Sequence, residues 1–137
     1  NYPGCAQQPR VPFAVAATGP RAMLVAANFA DTWVTTGNRG EETPLSADEG
    51  AAVVRAQMDL LDESCERVGR DPASISRLVL SGLRLGSGLT SAADFDETIG
   101  RYQAAGITDF VVHWPRPDGP FSTDFSTFEQ IFSRHSA

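Results

Sequence analysis

The chain has 137 residues, 42% hydrophobic and 20% charged, the composition of one globular domain large enough to bury a core rather than of a disordered chain. Its net charge of −6 excludes the basic surface that nucleic acid or an anionic membrane requires. No apolar run approaches a membrane span and no signal peptide is seen, so the cytoplasm is the expected location.

Residues 1–10, NYPGCAQQPR, are polar and rich in turn formers and read as a linker, with a single domain over residues 11–137. The opening has no initiator Met and reads as the middle of a longer chain. Residues 11–17 are the first expected strand. Phe13 to Ala17 is an apolar run without alternation, as in a parallel strand covered on both faces. Thr18-Gly19-Pro20 turns the chain into a helix, Pro20–Phe29, because proline suits a helix's first turn. Met23, Val25, Ala26, Ala27 and Phe29 are available to pack. A second strand follows at residues 32–36 and a charged loop at 37–45.

Ser46-Ala-Asp-Glu49 is a capping box, the clearest helix start in the chain. Ala47, Ala51, Val54, Met58, Leu61, Cys65 and Val68 recur at three- and four-residue steps and form one apolar face. Gly69 and Asp71-Pro72 end that helix. Residues 75–83 form the third strand, 85–90 a Gly/Ser loop, and Ala92–Ala105 a helix showing Phe95, Ile99 and Tyr102. Residues 108–114 form the fourth strand. A Pro/Gly loop leads to a final helix at 124–134, whose Phe125, Phe128 and Phe132 face a core.

Four strand-then-helix units imply an α/β fold with a parallel sheet and right-handed crossovers. Eight such units close a barrel, and this chain has four. Of the two cysteines, Cys65 lies on an apolar stripe and Cys5 in the irregular opening. A buried free thiol plus an unrelated one is favoured over a disulfide, which stays open. No Cys/His grouping has zinc-ligand spacing, so no metal is expected.

Two segments carry a family resemblance. ATGPRAMLVAANFADTWVTTG (residues 17–37) resembles the luciferase-like monooxygenases, the flavin- or F420-dependent oxidoreductases. Their pattern is a small-residue strand, a Gly-Pro turn, an Arg- and Ala-containing helix closed by Ala-Asp, and a short strand ending in Thr/Ser and Gly. VVHWPRP (residues 111–117) resembles the family's last barrel strand, and a Pro-Gly-Cys-like loop follows the family's first half-barrel. The resemblance implies the C-terminal half of a TIM-type (β/α)8 barrel. It also implies F420 or FMN as cofactor and hydride transfer to or from a small organic substrate.

Ala17, Thr18, Gly19 and Pro20 are the candidate cofactor residues. Gly19 lets backbone approach a ligand, and a helix N-terminus after a parallel strand offers free N–H groups. By resemblance this turn lies against the (deaza)flavin; otherwise it is only a tight turn. Thr35, Thr36 and Arg39 are candidates for a substrate's phosphate or carboxylate, hydroxyls and a guanidinium at a strand's carboxyl end. Some F420-dependent relatives use a Thr and a Lys at matching positions; Arg39 stands in place of that Lys. The alternative is a solvated Arg39 paired with Glu41 or Glu42. His113 ends the last strand as a possible acid or base, against a structural imidazole beside a packing Trp114. No other catalytic residue is evident, since by resemblance those sit on earlier strands. Arg84-Leu85-Gly86-Ser87-Gly88 is too short for a dinucleotide loop.

The expected function is part of a flavin- or F420-dependent oxidoreductase. The alternative is a non-catalytic half-barrel that binds a flavin, its missing N-terminal half, or a second copy of itself. Unpaired edges at the first and last strands make that half, or a homo-oligomer, the expected partner.

Overall fold

The computed structural model describes residues 6–8, 10–40 and 43–135. Most of the expected linker, Cys5, Glu41 and Glu42 lie outside the described residues. The order of elements is β1 (Ala14–Ala16), α1 (Pro20–Phe29), β2 (Thr32–Thr35), α2 (Ala47–Val68), a 3-10 turn at Pro72–Ser74, β3 (Ser76–Leu80), α3 (Ala92–Ala105), β4 (Asp109–Val111) and α4 (Phe125–His135). The strands form one parallel sheet in the order β1-β2-β3-β4. Ala14 pairs with Thr32 and Thr32 with Ser76, while Leu78 pairs with Asp109. This is the expected α/β architecture of four parallel βα units.

Helix limits follow from local chemistry. Ser46 accepts the Glu49 amide, and the Ser46 hydroxyl and then its amide donate to the Glu49 carboxylate and hold it below the usual carboxylate range. Gly69 and Gly106 close α2 and α3 with left-handed φ of 70° and 103°. Ser91 caps α3, and Asp124 accepts the Thr127 amide at the start of α4.

The strands are shorter than expected, because their ends are set by remote partners. The expected strand 11–17 shrinks to Ala14–Ala16 since the Phe13 N–H donates to the Asp31 carboxylate at 2.7 Å. That carboxylate also holds Arg10 at 2.6 Å, and the two bonds lower its pKa. The expected strand 75–83 stops at Leu80, and Gly82 turns away with φ 109°.

Ala17, Met23, Trp33, Val54, Met58 and Val79 belong to one core between the sheet and α1–α3. Phe95, Phe128, Ile131 and Leu89 form a second cluster under α4. The other sheet face is open: Ala14, Ala16, Ser76, Asp109 and Val111 are exposed along it. The expectation that the first strand is covered on both faces therefore fails within this chain. Several expected packing residues are also uncovered, including Val25 at 50%, Phe29 at 58%, Val68 at 37% and Phe125 at 47% exposure. Cys65 is a free, buried thiol whose pKa burial raises.

Tyr102 is 1% exposed and its hydroxyl has no hydrogen-bond partner among the described residues. A Cβ built on Gly50 would collide with that oxygen. In an ordinary helix interior Gly→Ala gains about 0.5–1 kcal/mol. Here overpacking wins, and Gly50→Ala is expected to cost about 1–3 kcal/mol in chemical denaturation. Tyr102→Phe removes an unsatisfied hydroxyl, so it is expected to be neutral or stabilising and to rescue Gly50→Ala. Desolvation raises the Tyr102 phenol from 10.0 to about 12. The unfolded chain therefore loses that proton first, and stability falls between about pH 10 and 12 in the parent but less in Tyr102→Phe. A Gly50→Ala chain as stable as the parent would contradict this packing.

Candidate functional site

Parallel strands place all their carboxyl ends on one rim of the sheet. There a cleft of about 950 Å³ opens between the ends of β1 and β2. Its lining includes Ala17, Thr18, Gly19, Pro20, Thr35, Thr36 and Arg39, so residues separated in sequence meet in one place. Arg21, Gly37 and Arg84 also line it.

The α1 end of the cleft is built from backbone. Gly19 is extended (φ −109°, ψ 161°), no side chain caps α1, and Pro20 has no N–H to offer. The amides of the first turn have no intrahelical partner by construction. A Cβ on Gly19 would meet nothing within 4 Å. The space beside it is open, and the fold itself does not demand glycine there.

Two buried side chains hold this rim. The Trp33 indole N–H donates to the Ala17 carbonyl at 2.8 Å, and the Ala17 amide donates to Val34 at 3.3 Å. Gln57, 4% exposed in the middle of α2, accepts from the Thr35 hydroxyl at 2.5 Å and donates to Asn38 at 2.9 Å. The Gly37 amide donates back to the Thr35 hydroxyl at 3.0 Å. Thr35 thus forms part of the cleft floor, but its hydroxyl is spent inside the protein. The hydroxyls left to a ligand are those of Thr18 and Thr36. The repeat of apolar residues on α2 passes over Gln57, and nothing local in the sequence singles it out.

Arg84 was also missed. Its loop reads as a generic Gly/Ser turn, yet Leu85 is fully buried and bridges to Leu45. His113 does not join the cleft: its ring stacks on Phe121 at 3.9 Å. Trp114 is 68% exposed and touches Phe128 at 5.3 Å. Among the described residues no group of three His, Cys, Asp or Glu could hold a metal ion, and no helix is long and apolar enough to cross a membrane.

No family model and no curated protein matches the chain. Solved structures do. One is described as a coenzyme F420 dependent tetrahydromethanopterin reductase from Methanopyrus kandleri, with TM-score 0.57 and 13% identity over 80% of this chain and 47% of that one. Another is an F420-dependent secondary alcohol dehydrogenase in complex with an F420-acetone adduct, with TM-score 0.51 and 16% identity over 75% of this chain and 43% of that one. At these identities the likeness is one of fold, and the chain spans about half the length of the structures it matches.

If Gln57 sets the rim, Gln57→Leu is expected to cost about 1–3 kcal/mol by denaturation, because it strands the Thr35 hydroxyl. It is also expected to speed hydrogen exchange at the Gly37 amide. Unchanged Gly37 exchange would remove Gln57 from that role.

Proposed function

We propose that the chain is the C-terminal half of a luciferase-like (β/α)8 barrel acting on F420 and a small organic substrate. The observation that carries the reading is the rim cleft. An uncapped helix start, an extended Gly19 with open space beside it, and free hydroxyl and guanidinium groups meet there, in a fold shared with two F420-dependent proteins. These features fit a flat ring with an anionic tail. Both neighbours are described with F420, so the reading takes the deazaflavin over FMN. When bound, that cofactor supplies hydride chemistry. The residues of this chain would orient it: Ala17–Pro20 by backbone approach and helix amides, with Thr36 and Arg39 holding an anionic group.

Among the described residues lining the cleft, the only ionisable side chains are arginines. A proton donor or acceptor for the reaction must come from elsewhere. This favours a chain that works only with four further βα units, the missing half or a second copy. The non-catalytic half-barrel is the rival reading, supported by the same absence.

The edges support the need for a partner. Among the described residues β1 and β4 each have one unpaired side, and Phe29, Phe13, Trp114 and Phe125 are exposed at 58%, 43%, 68% and 47%. Unpaired edges template further pairing, and closure into a barrel removes them. At micromolar concentration the chain alone is expected to scatter light as a species of at least twice 14.7 kDa. A sharply unfolding 14.7 kDa monomer would refute the half-barrel argument.

Gly19→Val tests the cofactor site, since a Cβ there meets nothing within 4 Å and the extended backbone of Gly19 suits a β-branched residue. The variant is expected to fold as the parent does and to bind F420 at least tenfold more weakly, read by deazaflavin fluorescence with the complementary half present. Equal F420 affinity in parent and variant would sink the assignment.

A further inference from the structure

We propose that Arg84 is an anion-anchoring residue, which with Arg39 makes the rim cleft a two-guanidinium site for a phosphate-type oxyanion.

The first argument is pairing. This is an acidic chain, with 17 Asp and Glu against 11 Arg. Arg10, Arg55, Arg77, Arg101 and Arg134 all sit in ion pairs. Arg21, Arg39 and Arg84 line one cleft, and no Asp or Glu lines it among the described residues. Three cations have gathered there beside an uncapped helix start, where the helix dipole adds positive potential.

The second argument is a buried orphan. The Arg84 Nε–H is shielded from solvent and has no hydrogen-bond partner among the described residues. A buried donor without an acceptor is costly, and charged donors more so. That Nε is closed to a water-sized oxygen as it lies, so an oxyanion in the cleft supplies the missing acceptor as the Arg84 guanidinium turns toward it. Nε and a terminal nitrogen of arginine form the fork that matches two oxygens of phosphate.

The third argument is that the fold holds this arginine in place. The Arg84 carbonyl accepts the Leu45 amide at 2.8 Å, and the Gly86 amide donates to the Leu45 carbonyl at 3.1 Å. A Cβ on Gly86 would lie 2.9 Å from that same carbonyl oxygen, so the two loops meet through a glycine. Gly37 has φ 89°, and a Cβ there would come within 3.3 Å of the Arg84 Cβ. The Arg84 loop and the segment carrying Thr36 and Arg39 are thus apposed where only glycine fits. A tetrahedral oxyanion has oxygens enough for Arg84, Arg39 and Thr36 at once, and a carboxylate has two.

The inference shares its cleft with the deazaflavin reading, and the oxyanion could belong to the cofactor's phosphate tail or to a substrate's phosphate. The test is an amide chemical-shift titration of the full chain with inorganic phosphate, and separately with acetate. Phosphate is expected to bind more tightly than acetate. Arg84→Gln and Arg39→Ala are each expected to weaken phosphate about tenfold or more, with Arg84→Lys between parent and Arg84→Gln. The amide spectrum of Arg84→Lys serves as the folding control. Undiminished phosphate affinity in Arg84→Gln, or no phosphate binding by the parent, overturns the proposal.

Adding F420 separates the two readings. Arg84-dependent phosphate binding in a chain that ignores F420 keeps this proposal and sinks the cofactor assignment; F420 binding with phosphate indifferent to Arg84 does the reverse. If phosphate displaces F420, the site holds the cofactor's tail. If both bind together, it holds a substrate's phosphate. Either result keeps the oxyanion assignment.

Discussion

Each strand of this sheet pairs with the next in sequence, and every connection is a parallel crossover. Right-handed crossovers that all step the same way put every helix on one face. The rest of the structure depends on that constraint. One face of the sheet acquires a core, and the other is left bare. The carboxyl ends of the strands collect on one rim, where the loops carrying Thr18, Thr36 and Arg84 must lie. A sheet that reversed its winding would cover both faces and place its ligand crevice at the reversal. Because the sheet does not close on itself among the described residues, its outer strands keep free edges.

The rim would be of little use if it were loose, and the means of fixing it are polar rather than apolar. Trp33 and Gln57 each carry a polar group into the core, which costs free energy unless it is bonded. Both are bonded to the backbone or side chains that shape the cleft, Trp33 to Ala17 and Gln57 to Thr35 and Asn38. Their burial therefore specifies geometry: a displaced Ala17 carbonyl would leave an indole N–H stranded in the core. Tyr102 is the contrasting case, a buried hydroxyl with no such partner, accommodated only because residue 50 lacks a side chain.

What could be read in the sequence divides along the same line. Helix limits were legible because their signals are local: Gly19-Pro20, the Ser46–Glu49 box, Gly69 and Gly106. The gathering of Ala17–Pro20 with Thr36 and Arg39 was legible because parallel topology fixes where strand ends go. Strand limits were overdrawn because Asp31 and Gly82 end them through contacts that apolar runs do not reveal. Gln57 and Arg84 were invisible for the same reason, since their partners lie far away in sequence. Val25, Phe29 and Phe125 have the periodicity of packing residues, but periodicity records only that a neighbour is wanted. Among the described residues Val25 and Phe29 stay uncovered, and Phe125 is still 47% exposed although it meets Trp114 and Phe128.

The open edges and the rim cleft are one problem seen from two sides. A chain of net charge −6 repels an approaching anion at long range, so attraction to the cleft must come from contacts inside a Debye length of about 8–10 Å. Such contacts strengthen as water is excluded and the local dielectric falls. Arg84 already has one N–H removed from solvent, whereas Arg39 stands exposed. On the proposed half-barrel reading, further βα units closing over the bare face would shield both guanidiniums. On that reading the bare face would be the surface through which the rim cleft gains strength.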